Sequence, residues 1–358
     1  MINLDDKEEV LRIQGGDEVA RSVDALPKQL QQSFEEVQQV SFPEEFKSKK
    51  NILVCGMGGS RFPAYILKEL FKSKLTIPYL LNDDYNLPEF VNSDTLVILS
   101  SYSGTTDEVI ANGKAALACG ADLVGVTSGG GVAEFLKANN FPVYVFNPIH
   151  NPSGQPRIGF GYAVGGHLGL LIKLGVIKIT PAEIVSAITN AAKLFEEFKL
   201  AVPEEKNPAK KLARQLYQRY PYYIVAEFLT GVGNAIANQT NETAKTISSF
   251  RIIPELNHHL IEGLKFPDQL HDIATFIFFS SKLYSAPIQK RFQITREVVE
   301  QNKIQTLWYE LKGETPIVQT LELMGFGSYL TLYLSTLYEQ DPSAIPYVDY
   351  FKQKLKEA

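Results

Sequence analysis

Cysteine is nearly absent from this sequence: Cys55 and Cys119 are the only two among 358 residues. Two cysteines without CxxC spacing exclude a disulfide framework and a thiolate metal knuckle. A basic excess is also missing, since 35 Lys and Arg stand against 40 Asp and Glu, for a net charge of −5. Duplex nucleic-acid binders need a cationic face to displace counterions, so that class is excluded, whereas a local pocket for a small anion is not. No run of about eighteen apolar residues occurs, and the opening MINLDDKEEV is charged where a secretory signal needs an apolar stretch. The expectation is a soluble, cytoplasmic chain with no membrane or nucleic-acid partner. What is present is core material. Hydrophobic residues make up 45% and charged residues 21%, enough to bury the interiors of two domains of ordinary size.

Residues 1–48 read as an N-terminal helical segment. Val23, Leu26, Leu30, Phe34 and Val37 form one apolar stripe at three- and four-residue spacing, and Pro27 marks a helix start. From Lys50 onward, runs at 51–55, 76–81, 95–99, 121–126 and 141–146 are almost continuously Val, Ile and Leu. Such runs are expected of parallel strands buried on both faces. Helical patterns near 63–73, 106–119 and 132–138 alternate with them, which specifies a doubly wound sheet. A Gly-rich apolar helix over 158–176 and an amphipathic one over 181–198 follow. The run 201–211 mixes Pro203 and Pro208 with charges and reads as a domain boundary. Beyond it, strand-like runs at 222–226, 246–253, 275–279 and 304–311 resume the texture without any literal repeat. The predicted fold is α/β: two doubly wound parallel-sheet domains over 49–200 and 201–340, an N-terminal helical segment over 1–48 and a C-terminal helix over 341–358.

Two loops carry chemistry. Gly56-Met57-Gly58-Gly59-Ser60 joins a strand to a helix, leaving backbone N–H groups free where the helix dipole favours an anion. No Lys follows, so it is not a P-loop, and Arg61-Phe62-Pro63 departs from a dinucleotide fingerprint. The second loop, Ser100-Ser101-Tyr102-Ser103-Gly104-Thr105-Thr106, follows another strand and precedes Asp107-Glu108. A helix cap needs one hydroxyl, which Thr106 supplies; this density of hydroxyls suits a phosphate. Ligands of open α/β sheets bind at the carboxyl ends of strands, where both loops lie.

Together, GMGGS and SSYSGTT resemble the sugar-isomerase (SIS) domain, a flavodoxin-like phosphosugar-binding fold. Gly154-Gln-Pro-Arg-Ile-Gly-Phe-Gly161, Asn238-Gln-Thr-Asn-Glu-Thr-Ala-Lys245 and Pro254-Glu-Leu-Asn-His-His259 narrow the resemblance to the bifunctional phosphoglucose/phosphomannose isomerases. The resemblance runs in order from about residue 50 to the C-terminus and implies two SIS domains. It implies an isomerase of aldose and ketose 6-phosphates that needs no cofactor and no metal, built as a homodimer with a shared active site. The substrate phosphate would sit on Gly59, Ser60, Ser101, Ser103 and Thr106. Glu242 would be the base at C2, and an ordinary carboxylate with a pKa of about 4.3 gains basicity from partial desolvation. His258 would open the sugar ring, Arg157 would steady the enediolate oxygens, and Lys352 on the terminal helix would assist ring opening or anchor the sugar.

His259 directly follows His258, and adjacent residues on an extended segment face opposite ways, so His259 is expected to be structural. His150, His167 and His271 lie in apolar or loop contexts and read as core or surface residues. The chain departs from the family pattern at Arg61, where Gly is usual, and at Ala235 and Ala237, where many members are basic. Two other readings compete: a phosphosugar sensor without catalysis, and a SIS isomerase of another sugar phosphate. The acidic N-terminus suits no DNA-binding module, and a sensor has no need of Glu242 together with His258.

Overall fold

The computed structural model describes residues 2–357. Three helices open the chain: α1 (Lys7–Leu11), α2 (Gly16–Asp24) and α3 (Leu26–Val37). The first sheet unit follows as β1 (Asn51–Cys55), α4 (Phe62–Leu70), β2 (Tyr79–Asn82), β3 (Thr95–Ser101), α5 (Asp107–Ala118), β4 (Asp122–Thr127), α6 (Gly130–Ala138) and β5 (Val143–Val145). Helices α7 (Phe160–Lys173), α8 (Pro181–Phe195) and α9 (Pro208–Leu216) lead to the second unit. That unit comprises β6 (Tyr220–Ala226), α10 (Thr230–Thr243), β7 (Ser249–Ile253), α11 (Leu270–Ile273), β8 (Ala274–Ser280), α12 (Ala286–Gln301) and β9 (Gln305–Glu310). The long α13 (Pro316–Leu337) and α14 (Pro346–Glu357) close the chain.

Both sheets are parallel throughout, in the orders β2-β1-β3-β4-β5 and β7-β6-β8-β9. In the first sheet, Ile52, Val54, Leu96, Ile98, Val124 and Val126 face the main core. Leu53, Cys55, Val97, Leu99 and Leu123 face a smaller core with Val109 of α5 and Val132 and Leu136 of α6. Both faces are apolar, so the two-residue alternation of a strand is masked and the sequence reads as an unbroken run. The main core continues without a gap through α13 into the second sheet, where all of β8 is buried. Helix α13 is apolar all round because other helices enclose it, and no described helix is long and apolar enough to cross a membrane.

The expected N-terminal stripe divides into two helices. Ala25 ends α2, and Pro27 sits in the first turn of α3, where its missing N–H breaks nothing. All five stripe residues are buried. Helix α3 lies tightly on α7. A Cβ at Gly161, Gly165 or Gly169 would come within 2.8, 2.1 or 2.2 Å of Leu26, Ser33 or Val37. That contact fixes the start of α7, and with it the Pro156-Arg157 turn. Several boundaries differ from the predicted ones, and three of the differences have a plain cause. β2 begins at Tyr79, because Pro78 has no N–H for a ladder. α7 begins at Phe160, because residues 156–159 form a turn and a bend. The run 201–211 is turn only through Lys206, and α9 starts at Pro208, capped by the Asn207 side chain.

Candidate active site

The two hydroxyl-bearing loops end β1 and β3, neighbours in the sheet whose chains leave in opposite directions. They are tied to each other. The Ser60 hydroxyl accepts from the Tyr102 N–H (2.8 Å), and the Ser100 hydroxyl donates to the Ser60 carbonyl (2.8 Å). His167 of α7 sits behind this pair, fully buried, with Nε2 3.0 Å from Ser100 Oγ and Nδ1 3.4 Å from the Tyr79 hydroxyl. Because Ser100 gives its proton to a carbonyl, Nε2 must carry the ring proton and Nδ1 must accept from Tyr79. Burial drives the pKa of His167 down to about 3, so the ring stays neutral.

In the second loop, the buried Ser101 hydroxyl bonds the Thr106 hydroxyl (2.8 Å) and accepts from the Gly104 N–H (3.1 Å). Thr106 is the N-cap residue of α5, yet its side chain makes no capping bond. The first-turn N–H groups of α5 therefore have no side-chain acceptor, the arrangement an anion seeks. Ser103 stands exposed at the mouth, bonded only to Thr105. Gly59 presses on the next segment: a Cβ there would lie 3.0 Å from the Arg157 nitrogen. Arg61 turns away from the loops, pairing with Asp83 (2.8 Å) and reaching Asn234 on α10 (3.3 Å).

Arg157 links the loops to the carboxylate. Its side chain is almost wholly buried, and all five donors are occupied. Nε donates to Thr243 Oγ1 (3.0 Å), Nη1 to Gln155 Oε1 (2.9 Å) and Glu242 Oε2 (3.5 Å), and Nη2 to the carbonyls of Pro342 (2.6 Å) and Ser343 (3.0 Å). It thus holds the last turn of α10 and the approach to α14 in one hand. Glu242 has a third of its side chain exposed, but the surrounding protein raises its pKa. Desolvation outweighs the opposing charges of Arg157, Lys245 and Lys352.

Lys245, unremarked within the NETAK run, closes the C-terminus of α10. Its ammonium donates to the carbonyls of Glu242 (2.7 Å), Thr243 (3.3 Å) and Asp341 (2.8 Å). Burial, and then Arg157, bring its pKa down to about 8. Lys352 sits on the exposed α14 and acts on Glu242 through its charge.

Gly59, Ser60, Ser101, Ser103, Thr106, Arg157, Glu242 and Lys352 thus fall in one linked region. His258 does not join them within this chain. It ends a 3-10 turn after β7, exposed, with no hydrogen bond among the described residues. Its neighbour His259 pairs with Glu255 (2.7 Å) on the surface. Ala235 and Ala237 lie on α10, both buried in the core. No group of three or more metal-ligating side chains occurs among the described residues.

The chain is similar to known proteins along almost its whole length. Residues 205–355 match the family described as the bacterial phospho-glucose isomerase C-terminal SIS domain. A bifunctional phosphoglucose/phosphomannose isomerase of Caldicellulosiruptor bescii is 32% identical over 346 residues, covering 94% of this chain and 98% of that protein. One from Aquifex aeolicus is 27% identical, over 86% of this chain and 91% of its own. Among solved structures, a hypothetical protein of Thermus thermophilus superposes with a TM-score of 0.75 at 16% identity, covering 97% of this chain and 92% of that one. Together with the matched SIS-domain family, that likeness supports two SIS domains as the fold. The near end-to-end match to the Caldicellulosiruptor protein goes further: the chain belongs to the bifunctional phosphoglucose/phosphomannose isomerase family.

Proposed function

We propose that this chain interconverts glucose 6-phosphate and fructose 6-phosphate, and mannose 6-phosphate and fructose 6-phosphate, as a cytoplasmic homodimer serving glycolysis and gluconeogenesis. The observation that carries this is Glu242. It is a desolvated carboxylate with raised pKa, held by Arg157 and flanked by Lys245 and Lys352, beside two loops suited to a phosphate.

The phosphate seats on Gly59, Ser60, Ser101, Ser103 and Thr106. The opened aldose then presents C2 to Glu242, which removes the C2 proton and returns it to C1 while the O2 hydroxyl proton passes to O1, leaving the ketose. The enediolate between them carries negative charge, and the nearby cations Lys245 and Lys352 stabilise it in a site partly shielded from water. Arg157, with every donor engaged, serves here by fixing the carboxylate in place rather than by touching sugar. Ring opening needs a group that moves a proton between the ring and anomeric oxygens, and His258 supplies it from a second copy of the chain. Two features support that assembly. His258 is exposed and apart from Glu242's partners, and α14 presents Tyr347, Phe351 and Leu355 to solvent along one face.

The test is turnover of fructose 6-phosphate by purified protein with EDTA present, following both aldose products. Both are expected, and Glu242→Gln is expected to lower kcat by roughly 10²–10⁴-fold. Formation of only one aldose would confine the substrate range. Binding of fructose 6-phosphate without turnover would turn the reading to a sensor.

A further inference from the structure

The two sheets repeat one another in a way the residues hide. β1 and β6 are each the second strand of their sheets, between β2 and β3 or between β7 and β8. Each runs into a three-residue 3-10 turn, Gly58–Ser60 or Glu227–Leu229, and then into α4 or α10. The first residue of each turn has a left-handed backbone, with φ of +49° at Gly58 and +45° at Glu227. The adjoining strands β3 and β8 are both seven residues long. Loops over 102–106 and 281–285 follow them, each ending on a hydroxyl-bearing N-cap residue, Thr106 or Ser285.

Glu227 therefore stands where the first sheet has a glycine of its anion loop, in a conformation that glycine adopts freely and glutamate does not. Its carboxylate sits at the N-terminus of α12, where the matching helix start of the first sheet, α5, has no side-chain acceptor. Oε1 accepts from the Ser285 hydroxyl (2.6 Å), and both oxygens lie 3.3 Å from the Ser285 N–H, at the N-terminus of the 16-residue α12. The same residue borders a cavity of about 1160 Å³ between α4, α8 and the carboxyl ends of β6 and β7. Thr230, only 4% exposed, lines that cavity, and its hydroxyl has no hydrogen-bond partner among the described residues. Lys72 and Lys74 stand on its rim. Its other carboxylates are engaged, Glu69 lying 3.8 Å from Lys72 and Glu183 closing the Thr180 cap.

We propose that the second sheet carries a phosphate cradle built like the first, plugged by the Glu227 carboxylate, and that it takes inorganic phosphate or a small phosphate-bearing molecule once the plug is removed. The internal anion keeps the substrate's phosphate off the second sheet's loop, which lies at the end of α10 opposite Glu242. This inference rests on the reading of the first-sheet loops as the phosphate seat.

Equilibrium dialysis of the full chain against radiolabelled inorganic phosphate tests it. Wild type is expected to hold one phosphate per chain, displaced by fructose 6-phosphate. Glu227→Gly, which also relieves the left-handed backbone, is expected to hold two, and to return to one when Ser285→Ala is added. Phosphate should raise the Tm of Glu227→Gly more than that of wild type, because it replaces the missing carboxylate. Glu227→Asn repeats the test should the glycine variant not fold, since asparagine tolerates the same backbone. Equal stoichiometry and equal Tm gains in variant and wild type would overturn the plug. A wild type that binds no phosphate would instead overturn the reading of the first cradle, and the variant-minus-wild-type difference would still decide the second.

Discussion

His167 is one polar side chain on a helix of glycine and apolar residues, and its hydrogen bonds make it more than core filling. Through Ser100 it reaches the backbone of the first anion loop, and through the Ser60 hydroxyl that loop is joined to the second. Removing the ring leaves the buried Ser100 and Tyr79 hydroxyls each short of a partner, which costs about 1–3 kcal/mol. Felt at the phosphate seat, this is expected to raise KM for fructose 6-phosphate roughly tenfold in His167→Phe, with kcat little changed. His167→Gln, which keeps a donor and an acceptor, should recover most of the loss. A fall in kcat at constant KM would contradict this positioning role.

The pH dependence is decided at the same scale. Glu242 must be ionised to act as a base, and its raised pKa places the acid limb of kcat/KM above the ordinary carboxylate value of 4.5. Lys245 sets the other limb. As it loses its proton near pH 8 it keeps two donors for three carbonyls, so the grip on Asp341 and on the last turn of α10 slackens. The expected profile is a bell, and Lys245→Gln should remove its alkaline side. For stability the sign is opposite. Between about pH 8 and 10.5 the unfolded chain holds more protons at this lysine than the folded one, so its contribution to stability rises with pH across that window.

Among the elements, the seam between α3 and α7 is the tightest link to the site. A Cβ at Gly165 would lie 2.1 Å from Ser33 Oγ and 2.5 Å from the Leu30 carbonyl, and that backbone cannot step aside. Gly165→Ala is expected to cost about 1–3 kcal/mol, read as a lowered Tm, with a weaker phosphate seat because α7 also carries His167. Elements were also what the sequence displayed best. β1 is predicted to the residue, and the other strands and the helices flanking the anion loops to within a few positions, since strands apolar on both faces and glycine-marked loops leave little ambiguity. Gly59, Ser60, Ser101 and Thr106 stood out because they lie on strand-end loops, and Glu242 through the resemblance of the NETAK run around it. Neither the engagement of Arg157, four of whose five bonds reach residues 85 to 186 positions away, nor the part taken by Lys245 was legible, because both depend on a helix end and a C-terminal loop meeting in space. The left-handed turn at Glu227 was hidden for a different reason: its sequence, Glu-Phe-Leu, lacks the glycine that usually announces one.

For the whole molecule, the proposed homodimer, in which His258 reaches Glu242 from the partner copy, makes a clean prediction. Glu242→Gln and His258→Ala homodimers should each be nearly inactive. Mixing them under subunit-exchange conditions should restore activity, since each heterodimer holds one site with both groups intact. Mixtures that stay inactive while heterodimers form would place both groups in the same chain.

The N-terminal segment is also tied to elements that come much later in the chain, α9 and α13. Asp5 receives the ammonium of the wholly buried Lys210 (3.0 Å), Arg214 donates to the Ile2 carbonyl (3.0 Å), and Asp24 accepts from the Tyr329 hydroxyl of α13. Asp5 and Lys210 are 205 residues apart. At ~5–20 residues per second, a ribosome needs roughly 10–40 s to reach Lys210 after making Asp5. Through that interval α3 can settle on α7 as soon as the first sheet is made, but α1 and α2 must stand by without their partners. The first part of the protein to be born is among the last to come to rest.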